Sequence, residues 1–313
     1  MSSKSLYILG IIITILLGMY FNWLMCCHPR LAVKENQETP LTVVEETPPV
    51  EEMSSSINGF AIKDPQGSFA YATDNTLDFK VSSDDLVQPV GTEIQQGIEK
   101  LSTYLQSNPN KTLDITGYYK TSEAYNGAFD NLGISRANAV KNYFVTKGIS
   151  SKQMSLYGKV VDDVQPDSEN VLRGPAEFVL QTAEEDQAAK ETEALLALKK
   201  KIQADPLVLY FDTGESNITL TESQKHQFTE ISQYLDKTDD KALVVGHTDN
   251  VGRRTSNIKL GLERANFARD YLIENGIASD KVDTESKGPD KPIAKNTTPK
   301  GRAKNRRCVV TIK

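Results

Sequence analysis

The chain repeats itself once, at the scale of a domain. Its last third reads FTEISQYLDKTDDKALVVGHTDNVG and then LGLERANFARDYLIENGIASDKVDTESKG. Its middle reads IEKLSTYLQSNPNKTLDITGYYKTS and then LGISRANAVKNYFVTKGISSKQMSLYGK. In each copy an amphipathic helix ends in Tyr-Leu and a polar turn. A strand closing on Gly follows, and a loop leads to a second helix opening near Leu-Gly-x-x-Arg-Ala. That helix stops at Lys-Gly-Ile or Asn-Gly-Ile, where Gly148 and Gly276 suit a left-handed C-cap. Equivalent positions lie about 128–130 residues apart, which marks domain duplication rather than a solenoid. The expected fold is therefore α/β (an α+β sandwich), with two tandem βαβαβ domains. Leu260, Ala265, Ala268 and Leu272 share one helical face, and Ala242–Val245 and Val309–Ile312 read as short β-branched core strands.

The rest of the chain arranges itself around this pair. Leu6 to Met25 carries no charged side chain, and about 20 apolar residues suffice to cross a bilayer core. Tyr20 and Trp23 lie towards one end, where such rings favour the interface. A secretory signal would have a shorter core and small residues at the cut. A lipoprotein signal would use Cys26 or Cys27, although the preceding Trp23, Leu24 and Met25 are bulky. The expectation is an uncleaved single-pass helix, with a lipoprotein as the alternative. Residues 33–58 are rich in Glu, Pro, Thr and Ser and cannot bury much apolar area, so they read as a tether. Ala183 to Ala204 reads as a connecting helix, with acids first and Lys199, Lys200 and Lys201 last, as the helix dipole favours. The expected layout is 1–28 anchor, 29–60 tether, 61–182 first domain, 183–204 connecting helix and 205–313 second domain.

A net charge of −6 and a pI near 5.3 argue against nucleic acid as a partner. Cys26, Cys27 and Cys308 supply no disulfide framework, and with three histidines the chain has no zinc-site spacing. A Gly-rich phosphate loop, a G-x-S-x-G elbow, an H-E-x-x-H pair and a Ser/His/Asp set are all missing, so neither catalysis nor a cofactor is expected.

The second copy carries an ordered constellation. Val208-Leu209-Tyr210-Phe211-Asp212 opens it, and Gly246-His247-Thr248-Asp249-Asn250 follows. Asn257 to Ala265, Gly288, Pro292, Asn296, Gly301-Arg302-Ala303 and Asn305-Arg306-Arg307 complete it. This set resembles the OmpA-like peptidoglycan-binding family over Leu207 to Lys313. The resemblance implies that Asp249 and Arg264 hold the diaminopimelate of a peptidoglycan stem peptide. Chemically the pairing is sound: that side chain ends in an ammonium and a carboxylate on one carbon, and an acid facing a guanidinium matches both charges. Thr248, Asn250 and Asn257 are expected to shape the loop or lend backbone donors. Arg307, with Asn305 and Arg306 as further candidates, would buttress the site from the last strand. A rival role for Arg302, Lys304, Arg306 and Arg307 is a basic patch for anionic polymers or lipid. His247 is expected to pack locally. Two residues depart from the family pattern: Gly261 replaces Ser, and Cys308 replaces an aliphatic residue.

In the first copy Arg136 matches Arg264, but the acid position reads Gly117-Tyr118-Tyr119-Lys120. With no Asp counterpart and Lys120 nearby, this copy is expected to keep the fold without stem-peptide binding, as a spacer or a docking surface for another envelope protein. The functional expectation is a membrane-anchored protein with its domains in the periplasm, tying membrane to wall. The alternative is a structural or docking component of a stator- or secretion-like envelope machine. The charge-free N-terminal helix speaks against proton conduction in such a machine.

Overall fold

The computed structural model of the chain describes residues 59–183, 185–210 and 219–313. The expected membrane helix, and the tether up to residue 58, lie outside the described residues, as do Phe211 and Asp212. Among the described residues no helix is long and apolar enough to cross a membrane. Residues 53–313 form one compact unit.

The first copy begins with an antiparallel hairpin, β1 (Phe60–Lys63) and β2 (Ala70–Thr73), and a short β3 (Phe79–Lys80) that pairs with β6 (Val171–Leu172). Helix α1 (Thr92–Ser107) buries Ile94, Ile98, Leu101 and Leu105, one stripe at helical spacing. Strand β4 (Lys111–Tyr119) follows, then α2 (Leu132–Thr146), β5 (Met154–Val160) and β7 (Ala176–Thr182). The sheet order is β5-β4-β7, with β5 parallel and β7 antiparallel to the central strand. Leu113 and Ile115 of β4 alternate with half-exposed Asp114 and Thr116, so one face meets the core.

After α3 (Glu185–Ala204), the second copy runs β8 (Leu207–Tyr210), α4 (Glu222–Lys237), β9 (Ala242–His247), α5 (Arg254–Glu274), β10 (Val282–Gly288), α6 (Pro299–Asn305) and β11 (Arg307–Ile312). Its sheet is ordered β10-β9-β11-β8, and again only the β9–β10 pair, joined by a crossover helix, is parallel. The α/β class is as expected, and each copy carries more than a βαβαβ unit. Both add a final antiparallel strand, β7 in the first and β11 in the second; the second also adds α6, and the first the β1–β2 hairpin and the β3–β6 pair.

A close approach positions the functional helices. A Cβ on Gly117 would sit 2.1 Å from the carbonyl oxygen of Gly133, and one on Gly246 1.8 Å from that of Gly261. A glycine at the strand end lets strand and helix touch this way, and the contact sets an arginine, three residues after the helix glycine, beside the strand's exit. At Gly261, where the family pattern has Ser, an added Cβ would lie 2.3 Å from the movable Ser286 Oγ on β10. The buried face of α5 accordingly runs through Asn257, Gly261, Ala265, Ala268 and Leu272, while Leu260 is exposed rather than buried as its spacing had suggested. Both helices stop as expected, on Gly148 at φ +88° and Gly276 at φ +94°.

The two copies are joined by more than α3. Ala128 and Phe129, from the loop between β4 and α2, are buried in the second copy's core, with Phe129 edge-on to Phe228 at 5.1 Å. Lys141 of α2 reaches Asp236 of α4 at 2.6 Å, and Ser151 Oγ donates to the Asp236 carbonyl at 2.9 Å. The Asp130 amide donates to Thr229 Oγ1 at 3.1 Å. Ile202 of α3 is buried, and Leu195 and Leu198 pack against the second copy's core.

Candidate functional site

Strand β9 ends at His247 and delivers Thr248 and Asp249 into the turn above the sheet. Thr248 is buried: its amide donates to the Gly288 carbonyl at 2.9 Å, and its hydroxyl donates to the Asp249 carbonyl at 2.8 Å. These bonds lock the turn to the end of β10, fixing the direction in which Asp249 projects. Asp249 Oδ1 accepts from the Val251 amide at 3.1 Å, an Asx-type turn, and Oδ2 meets Arg306 Nη1 at 3.1 Å. Asn257 lies inside α5 rather than in the loop, because the helix starts at Arg254; its Nδ2 donates back to the Val251 carbonyl at 3.0 Å. Asn250 is exposed at the tip.

Arg264 sits in the third turn of α5, half-buried, and its Nη1 is buried without a hydrogen-bond partner. Burial pushes its pKa down; the Arg306 charge adds to this, while Cys308 and Asp249 oppose it. Arg306 also carries a buried, unpartnered Nε. An orphaned buried N–H costs free energy unless something supplies an acceptor, about 1–3 kcal/mol and more for a charged group. The site thus combines one acid, already half engaged, with two guanidiniums offering unused donors. Its charge and its open valences suit a carboxylate placed beside a cation.

The last strand and the loop before it frame this arrangement. Asn305 is fully buried and holds residues 293–296 through bonds to the Ile293 and Ala294 amides, the Ala294 carbonyl and the Asn296 side chain. Arg307 is also buried and donates to the carbonyls of Lys291 and Asn305. Its contacts brace the loop, and Arg306 is the residue that reaches Asp249. The Asn-Arg-Arg segment was the available signal, and the expectation that put Arg307 ahead of Arg306 is corrected here, because Arg307 points to the Lys291 and Asn305 carbonyls. His247 is buried with Nδ1 unpartnered; burial, then Arg307 and Lys287, depress its pKa to about 4. It therefore carries no charge at neutral pH.

The equivalent place in the first copy looks different from what its sequence suggested. Arg136 does have an acidic partner: Glu123, from the loop after β4, at 2.5 Å. Lys120 takes part through its backbone amide, which donates to Glu123 Oε2 at 2.8 Å. The residue opposite the arginine is supplied from farther along a rebuilt loop, so counting from the strand end misses it.

The OmpA family model matches residues 79–173 and 210–306, one segment in each copy. Outer membrane protein A of Bordetella avium is 35% identical over 127 residues, 40% of this chain and 63% of that protein. Peptidoglycan-binding protein ArfA of Mycobacterium bovis is 43% identical over 74 residues, 24% of this chain and 23% of that protein. The chain thus spans less than two thirds of the length of these relatives. Among solved structures, the peptidoglycan-associated lipoprotein of Burkholderia pseudomallei aligns over 34% of this chain and 89% of that one, at 26% identity and a TM-score of 0.30.

Proposed function

The chain belongs to the OmpA family, and on that premise we propose that its second domain binds peptidoglycan non-covalently, gripping the diaminopimelate of a stem peptide. Arg264 takes the terminal carboxylate and Asp249 the neighbouring ammonium. Arg306 holds Asp249 in place and faces the same carboxylate. The observation that carries this reading is the buried Arg264 Nη1, which has no partner, beside the acid at the mouth of β9. Names of relatives that refer to peptidoglycan point the same way. The protein acts by binding and not by catalysis, and with its N-terminal segment as membrane anchor it ties the envelope membrane to the wall.

The test is co-sedimentation of residues 53–313 with purified diaminopimelate-type sacculi, comparing wild type with Asp249→Ala and Arg264→Ala. Truncating one partner of a desolvated charge pair costs about 2–5 kcal/mol, at least a tenfold loss of affinity. Both variants should stay folded and leave the pellet. Wild-type protein remaining in the supernatant would refute wall binding; retention of both variants would refute the assignment of the site.

A further inference from the structure

Arg136 is 0% exposed, and every N–H it owns is used. Nη2 donates to Glu123 Oε1 at 2.5 Å and to the Lys80 carbonyl at 3.1 Å. Nη1 donates to Glu123 Oε2 at 3.1 Å and to the Tyr118 carbonyl at 2.8 Å. Nε donates to the Ser83 carbonyl at 3.0 Å. Five donors meet five acceptors, the full inventory of a guanidinium. The glutamate is equally well held, for its two oxygens also accept from the Ser82 and Lys120 amides, both at 2.8 Å. Its side chain is 1% exposed.

We propose that the first domain contains a built carboxylate-binding site around Arg136 and that Glu123 is its permanent internal ligand. The guanidinium fork and two backbone N–H groups converge on one carboxylate, the donor set by which proteins take up free carboxylates. The arginine stands where Arg264 stands in the second domain, three residues after the glycine pressed on the central strand. There the guanidinium keeps an open donor; here the loop of residues 120–131 folds its own acid into that place. The first domain is thus closed to outside carboxylates by occupancy rather than by loss of the pocket. This inference stands whether or not the second domain binds the wall.

Shortening Glu123 to Ala removes a CH2–COO⁻ group and vacates a space the size of acetate, with four strong donors left facing it. The experiment is thermal unfolding of residues 53–313 carrying Glu123→Ala, titrated with sodium acetate against sodium chloride at matched ionic strength and pH 7. A ligand that binds only the folded state raises its stability with concentration. The expected result is a saturable rise in melting temperature of several degrees with acetate alone. Wild type, Glu123→Gln, which keeps the space filled, and the double variant Glu123→Ala/Arg136→Met should show no such rise. An acetate response equal in the double variant, or none in Glu123→Ala, overturns the proposal. Should Glu123→Ala fail to fold in chloride, refolding from urea in acetate and in chloride gives the same decision. Recovery in acetate only supports the site; equal recovery or failure in both refutes it.

Discussion

Replacing Asp236 by Asn should strand an ammonium inside the seam between the two domains. Lys141 is 1% exposed at its side chain and Asp236 18%, so the two partners are unequally protected. Removing one member of a buried pair costs about 3–5 kcal/mol when the survivor has no way out. Lys141 is that survivor, and Asn keeps one acceptor for it, which argues for the lower end, about 3 kcal/mol. The converse change, Lys141→Met, leaves an acid that reaches solvent and still has Lys237 and Lys281 in its field, so about 1 kcal/mol is expected. Burial outweighs these lysines and holds the Asp236 carboxyl above its ordinary range, so the intact pair contributes little net stability. The double variant Lys141→Met/Asp236→Leu should accordingly fall within about 1 kcal/mol of wild type. Urea unfolding of residues 53–313 measures all three. If Lys141→Met proves the more harmful change, or Asp236→Asn costs under about 0.5 kcal/mol, the buried-charge reasoning fails.

Three further outcomes are expected. Gly246→Ala drives a methyl against the Gly261 carbonyl, backbone on backbone, and should cost about 3 kcal/mol, at the top of the overpacking range, whereas Gly252→Ala, with open space at φ +92°, should cost about 1 kcal/mol; urea midpoints decide. Cys308 is buried with its thiol pushed up to about 12 by burial, so residues 53–313, where it is the sole cysteine, should resist a thiol reagent at pH 8 until urea is added; rapid native labelling would contradict the packing. His247 has a folded pKa of about 4 against about 6.5 unfolded, so the unfolded chain takes the proton first as pH falls. Stability should drop from pH 6.5 towards 4 with a slope of up to about 1.4 kcal/mol per pH unit, and His247→Gln should remove that part of the slope.

What could be read from the sequence was local or periodic. Gly148 and Gly276 announced their helix stops because a left-handed C-cap is a one-residue requirement. Strands β9 and β11 were visible as β-branched runs, and the duplication made each copy a check on the other. Asp249 and Arg264 stood out by their place in an ordered motif. The start of α5 was misjudged, since Arg254 to Lys259 carries no apolar stripe, and the buried residue of that first stretch is the polar Asn257, which bonds back to Val251. Glu123 was missed because nothing in Tyr119-Lys120-Thr121-Ser122 signals that the acid beyond will fold back onto an arginine thirteen residues on. The seam was likewise unreadable: Phe129 looks like an ordinary core residue of its own copy, and only the folded chain reveals which core it enters.

That one loop, residues 120–131, supplies both Glu123 and Phe129, and this bears on where one domain ends and the other begins. The same segment that sets an acid on Arg136 also plugs the neighbouring domain's interior with Phe129. Excising the first domain would leave Phe228 without its cover and open the second domain's core to water. The boundary drawn by the repeat is therefore not a boundary of stability, and the second domain's core is complete only with the first domain's loop in place.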